Sequence, residues 1–214
     1  MELESSLRER LIDVGVDLVM TEGTASLGLR EIARRAGVSH GAPRRHFPTH
    51  HALLSAIARR GFADLGSRFE ATTDEGASPR DRLQALARTY LRYALEHRGM
   101  FELMFRHDLL DSGTNPSDVP PLRESTLPLF AHIVELVARH TAEREEAGTA
   151  APPAVTAAAL WANLHGAAQL WAWGSLQLAL DAASPAAAPG GDPADPLDRL
   201  VVVVLDAHLG PVEG

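Results

Sequence analysis

The chain has 214 residues, 45% of them hydrophobic, with 20 Lys or Arg against 28 Asp or Glu and a formal net charge of −8. That length allows one or two domains with a substantial core. The absence of cysteine excludes a disulfide framework, a thiolate nucleophile and a Cys-ligated metal. The charge is unevenly divided: residues 1–60 hold nine Arg and seven acids, a surplus of +2, and the rest hold eleven Arg and twenty-one acids, a deficit of −10. Basic charge is local, as it would be if only an N-terminal segment meets nucleic acid. The opening MELESSLRERL lacks the basic-then-apolar pattern of a signal peptide, which predicts a cytoplasmic protein.

In chain order, the first predicted element is a helix over residues 4–21, with Leu7, Leu11, Val14 and Leu18 on one stripe and Arg8, Arg10 and Asp17 opposite. Residues 27–47 then read as two short helices joined by a tight turn. Leu29, Ile32, Ala33 and Ala36 have helical spacing, and Gly37 stands where a left-handed residue would end that helix. Val38 can plug the gap beneath the turn, and Ser39 is a good N-cap for a second helix. That helix must end near His46, because Phe47 precedes Pro48 and is biased away from helical angles. Ala33 is small where two crossing helices need to approach. This is a helix-turn-helix layout, whose second helix enters the DNA major groove. The second helix has little apolar surface, which suits it to phosphates and base edges rather than to a core. Arg30, Ser39, His40, Gly41, Ala42, Arg44, Arg45, His46 and His50 are the candidate DNA-contacting residues.

Pro48 and Thr49 predict a turn, with Thr49 capping a fourth helix that starts at His50 and carries Leu53, Leu54, Ile57, Ala58, Phe62, Leu65 and Phe69. At about 1.5 Å per residue such a helix reaches roughly 30 Å, enough to link a first domain to a second.

The pattern Leu29-Arg30-Glu31-Ile32-Ala33, Ala36-Gly37-Val38-Ser39, Gly41, Arg45-His46-Phe47-Pro48 and Leu53-Leu54 makes residues 5–54 resemble the DNA-binding domain of TetR/AcrR-type transcriptional regulators. Two positions depart from the family. Arg44 stands where a Tyr usually meets a backbone phosphate, and His50 stands where a Lys usually does. Arg44 retains a phosphate or guanine contact, whereas His50 replaces a permanent cation by an imidazole.

Further along, Pro79 suits the first turn of a fifth helix with a stripe of Leu83, Leu86, Ala87, Tyr90, Leu91 and Ala94. Residues 100–105 make a short, very apolar helix, and residues 111–121 a loop. Residues 122–144 are helical, with Pro128 either starting or kinking the helix. No charge occurs between Val155 and Leu180. That length can span a membrane, but Asn163, His165, Gln169, Ser175 and Gln177 and the lack of basic flanks argue for a helix buried on most sides of an all-α domain. Residues 184–196 read as a flexible linker. Asp195-Pro196 then caps a last helix carrying Leu197, Leu200, Val201, Val204, Leu205 and Leu209. The expected fold is all-α: a helix-turn-helix domain over residues 1–50, then a helical ligand-binding and dimerisation domain over 51–214.

Trp161, His165 and Gly166 resemble the Trp-His-Gly signature of one group of TetR-type C-terminal domains. Gly166 would admit a closely packed helix. His165 shares a face with Trp161 and reads either as a core histidine bonded to a carbonyl or acid, or as a ligand contact. Phe101, Met104, Phe105, Phe130, Trp161, His165 and Trp171 are the candidate effector-binding residues, and with few charges among them a mainly apolar small molecule fits best. The grouping His40, His46, His50 and His51 is split by Pro48 and does not read as a metal site. No cofactor is expected, and no nucleophile–base pair, phosphate loop or metal spacing points to an enzyme. The resemblance implies a homodimer through the last two helices, a quasi-palindromic double-stranded DNA operator, and a repressor released by its effector. A helical interaction protein with weakened DNA binding is the alternative.

Overall fold

The computed structural model describes residues 2–72, 74, 76–110, 122–144, 151–183 and 195–211. Among them the regular structure is helical throughout: α1 (Glu2–Glu22), a short 3-10 turn (Thr24–Ser26), α2 (Leu29–Arg35), α3 (Ala42–His46), α4 (His50–Ala71), α5 (Pro79–Glu96), α6 (Arg98–Met104), α7 (His107–Leu110), α8 (Arg123–Glu143), α9 (Pro153–Ala172), α10 (Ser175–Ala183) and α11 (Pro196–Leu209). The expected loop over residues 111–121 and most of the expected linker, residues 184–194, lie outside the described residues. The chain forms two compact units, Met1–Ser67 with His97–Pro128, and Arg68–Glu96 with Leu129–Gly214.

In the first unit, α1 lies against α2, α3 and α6. Leu11, Leu18, Ile32, Ala33, Leu53 and Ile57 are sealed from solvent. Three glycines set how near its helices come. A Cβ at Gly15 would lie 2.3 Å from the Ile57 side chain, one at Gly61 would lie 2.6 Å from the Met104 sulfur, and one at Gly99 would lie 2.4 Å from the Val19 carbonyl oxygen. The apolar α6 therefore packs on α1 and α4. Phe105 stands edge-on to Phe62, with ring centroids 5.5 Å apart. His51 Nε2 hydrogen-bonds the Asp108 carbonyl, joining the first turn of α4 to α7.

In the second unit, α5, α9 and α11 pack on one another and α10 lies along α9. Leu83, Leu86, Tyr90, Leu91, Leu160, Val201 and Leu205 are buried. The valines of α11 sit in a helix whose N-cap, Asp195, accepts the Leu197 N–H at 3.0 Å. Polar ties close its far end: Arg80 donates to the Gly210 carbonyl at 2.7 Å and pairs with Asp206. His140 bonds the Leu209 carbonyl at 3.0 Å, and Arg144 the Pro211 carbonyl at 3.1 Å. These donors satisfy carbonyls that a helix end leaves without partners.

Three expectations need correction. Of the two alternatives for Pro128, the helix start is excluded: α8 begins five residues earlier and runs through it. The uncharged stretch is two helices, because Trp173 leads into Gly174 at φ 76°, a left-handed residue that ends α9. Nor is the stretch buried on most sides in the single chain: α10 buries no residue, and Trp173 and Leu178 are 65% and 73% exposed. Gly166 is not a contact point within the chain, since a Cβ there meets nothing within 4 Å. Among the described residues no helix is long and apolar enough to cross a membrane.

At Gly99 the crowding atoms are backbone, which cannot turn aside as a side chain can. Gly99→Ala is expected to destabilise the first unit by about 1–3 kcal/mol, the usual cost of overpacking, read as a lower midpoint in urea unfolding at fixed protein concentration.

Candidate functional site

The turn between α2 and α3 is built from backbone bonds. Gly37 adopts φ 68°. Its N–H donates to the Arg34 carbonyl at 3.2 Å, and the Val38 N–H to the Ala33 carbonyl at 3.0 Å. This bond pair is the Schellman termination, which requires a left-handed residue at this point. The second helix starts at Ala42, two residues later than a Ser39 N-cap predicts. Proline is the cause. A helix capped by Ser39 needs an N–H at residue 43 to reach the Ser39 carbonyl, and Pro43 has none. The Ala42 N–H takes that carbonyl instead, at 2.9 Å, in a turn preceding α3. At the other end, Phe47 is extended (φ −130°, ψ 108°) and buried, as a residue before proline should be. The Arg8 guanidinium of α1 stands over its ring, 5.3 Å from the centroid. Thr49 Oγ1 caps α4, accepting the Ala52 N–H at 3.0 Å.

The candidate DNA-contacting residues fall into two classes. Arg30, Ser39, His40, Gly41, Arg44, Arg45 and His50 are exposed; Ala42 and His46 are half-buried. Arg44 and Arg45 make no ion pair with the described residues and point their charge at solvent from the last turn of α3. Of the α2 arginines, Arg34 and Arg35 are engaged. Arg34 grips the Glu31 carboxylate through Nε at 2.8 Å and Nη2 at 2.6 Å, and Arg35 Nε adds a bond to it at 2.8 Å. The other face of Arg35 pairs with Glu22 of α1. These bonds hold the Glu31 carboxyl down at about 2, from its ordinary 4.5. His50 is also engaged, with its Nε2 on the Leu27 carbonyl. No group of three or more potential metal ligands occurs among the described residues.

The candidate effector residues divide between the units. Phe101, Met104 and Phe105 belong to the first, where Phe101 and Met104 are buried and the Phe101 and Phe105 rings lie 4.8 Å apart. Phe130, Trp161, His165 and Trp171 belong to the second. There Trp161 lies 6.2 Å from Phe130 and 6.1 Å from His165 between ring centroids, while Trp171 is engaged through its carbonyl, which accepts from Gln177. At the centre stands Tyr90, buried on α5. Trp161 Nε1 donates to its oxygen at 3.3 Å, and that oxygen lies 2.8 Å from His165 Nδ1. Indole N–H only donates. With Trp161 donating on one side, a Tyr90 hydroxyl that donates to Nδ1 would leave the His165 proton on Nε2. Burial pushes the Tyr90 phenol well above its usual range and the His165 imidazole below its own, so both stay neutral at physiological pH. His165 is thus bonded through Nδ1 to a phenol.

Comparison with known proteins agrees with both halves. The model for bacterial regulatory proteins of the tetR family matches residues 11–57, and that for a tetracyclin repressor-like C-terminal domain matches residues 83–207. The chain belongs to the TetR family. Its family is one of transcriptional regulators, not of enzymes. The regulator BetI of Rhizobium meliloti is 32% identical over 90 residues, 42% of this chain and 44% of BetI. The repressor KstR of Mycobacterium tuberculosis is 25% identical over 131 residues, 61% of this chain and 59% of KstR. The chain thus spans less than half of BetI. A protein of unknown function from Rhodococcus sp. RHA1 shares the fold, with a TM-score of 0.69 and 28% identity over 95% of this chain and 93% of that one.

Two features of this TetR-family chain escaped the sequence reading. Tyr90 was legible only as part of an apolar stripe; a buried phenol needs a partner, and His165 on a chargeless helix needed one too. The Glu31 brace had a local signal, an acid followed at three and four residues by Arg.

Two measurements check this geometry. Glu31, depressed in the folded state, contributes stability that is complete above about 4.5 and is lost as pH falls through about 2; carboxyl chemical shifts should follow that titration. In nitrogen-detected NMR, His165 should show an unprotonated Nδ1 and a protonated Nε2 at neutral pH, with its midpoint below the ordinary 6.5. Tyr90→Phe should abolish the tautomer preference.

Proposed function

We propose that this TetR-family regulator is a repressor that binds a quasi-palindromic operator as a homodimer and is released by a small, mainly apolar ligand. Residues 1–50 read DNA and residues 51–214 bind ligand and dimerise. The observation that carries the reading is the pair Arg44 and Arg45, exposed and without an ion-pair partner among the described residues, on a short helix held by a three-helix base. Their guanidiniums suit guanine edges and phosphates. Arg30, Ser39, His40 and Gly41 are exposed beside them, with Ala42 and His46 half-exposed. His50 is the weakest member of the set, because its Nε2 is on the Leu27 carbonyl.

Dimerisation is supported by the apolar surface that α9, α10 and α11 leave open, including Val155, Trp173, Leu178 and Val203. Exposed apolar side chains gathered on one set of helices suit an interface. A dimer would also present two α3 helices to major grooves about 34–36 Å apart. The effector reading rests on Phe130, Trp161 and His165 gathered around Tyr90, an aromatic setting with neutral polar atoms that suits an uncharged molecule. Release by ligand needs only about 1–3 kcal/mol of coupling. The repressor assignment draws on KstR, which is named as one.

The test is binding of the purified full chain to DNA upstream of its own gene, titrated with salt and competitor. Sequence-selective binding with a steep salt slope is expected. Arg45→Ala should cost about 1–3 kcal/mol in operator affinity, the worth of one bidentate base contact; undiminished affinity would remove Arg45 from the interface. No selectivity at any salt, across pH 6 to 8, would favour the interaction-protein reading.

A further inference from the structure

We propose that Glu31 is a specificity-determining residue: its carboxylate locks Arg34 and Arg35 into internal ion pairs and withholds two cations from indiscriminate contact with DNA phosphates. The inference rests on the DNA-reading function proposed above.

Two observations carry it. One is the contrast between Arg34 and Arg35 at the end of α2 and the two arginines of α3. Arg34 and Arg35 give three N–H bonds to one carboxylate, and Arg35 is also held by Glu22 from another helix. Arg44 and Arg45, a few residues on, have no such partner among the described residues. The other is position. The first helix of a helix-turn-helix crosses the DNA backbone, so cations on α2 face phosphates wherever the protein lands, whatever the sequence. Phosphate contacts carry no sequence information. Every unpaired α2 cation raises affinity for all DNA alike and shrinks the advantage of the operator.

Helix stability alone does not account for the arrangement. Exposed ion pairs contribute little to stability, and one Arg at either spacing would supply the local benefit of an acid in the first turn. Here the carboxylate is shared by two guanidiniums, and the second is fixed from both sides. Arg34 nevertheless keeps 65% of its side-chain surface exposed, so it is close to solvent and restrained by charge pairing alone.

The experiment measures binding of the full chain to a random-sequence duplex and to its operator across a salt series, for wild type, Glu31→Gln, Glu22→Gln, Arg45→Ala and the triple variant Glu31→Gln with Arg34→Gln and Arg35→Gln. Glu31→Gln is expected to steepen the salt slope on random DNA by about 0.9 for each phosphate newly contacted, and so to lower the operator-to-random ratio. Glu22→Gln should shift the slope in the same direction by less, and the triple variant should return to the wild-type slope. An unchanged slope in Glu31→Gln, at unchanged helicity and melting temperature, overturns the proposal. So does a shallower one, which would make Glu31 a residue that presents Arg34 and Arg35 to DNA. If Arg45→Ala also leaves both duplexes bound as in wild type, the DNA-reading proposal fails together with this one.

Discussion

The constraint on which the N-terminal unit depends is that its most exposed helix cannot stand alone. Helix α3 has five residues, opens on Gly41 and contains Pro43. Isolated helices shorter than about 12–15 residues are marginal in water, so neighbours must supply its order. They do so at both ends. The left-handed Gly37 turn fixes the entry with two backbone bonds, and buried Pro43 and Phe47 anchor one side of the helix. Glycine is needed at residue 37 because a side chain there would pay for positive φ. Glycines on α1, α4 and α6 then let the supporting helices close to distances no Cβ would permit. The polar face of α3 is free to carry charge because the other face does all the anchoring.

Electrostatics follows from the same division. The chain is acidic, yet its arginines are not equivalent. Arg34 and Arg35 on α2 are satisfied by Glu31 and Glu22; Arg80 and Arg88 in the second unit pair with Asp206 and Asp198 across helices, joining α5 to α11. Counting cations per segment finds the basic region but not which cations are committed. Net charge on a domain is a statement about long-range attraction; partner geometry decides which charges remain for a ligand.

Much of the architecture was legible because it is written locally. Helical spacing located α1, α2, α4, α5 and α11, and the caps Gly37, Thr49 and Asp195 act as their residue types predict. Errors arose where two local rules competed. Ser39 is a good cap, but Pro43 removed the N–H that a helix starting there requires. Trp173-Gly174 was hidden in an apolar run whose average character suggested one buried helix. Contacts between distant residues were not legible: nothing in sequence order joins Tyr90 to His165 or places α6 against α1. Those depend on tertiary packing, which propensity does not encode.

The second unit shows why an uncharged helix need not be a core helix. Helix α9 buries Ala157, Leu160, Leu164, Ala167 and Ala168 along one side, while Val155 and Leu170 remain exposed and α10 continues the open surface. A helix apolar all round must find burial on every side, and the single chain supplies it on one. Within that setting, the Trp161–Tyr90–His165 chain satisfies the polar atoms internally, without a charge. A network of indole, phenol and neutral imidazole adds no charge to an apolar region. In such a region neutral partners are the economical choice, because desolvating an ion without a counter-charge costs far more than one hydrogen bond returns.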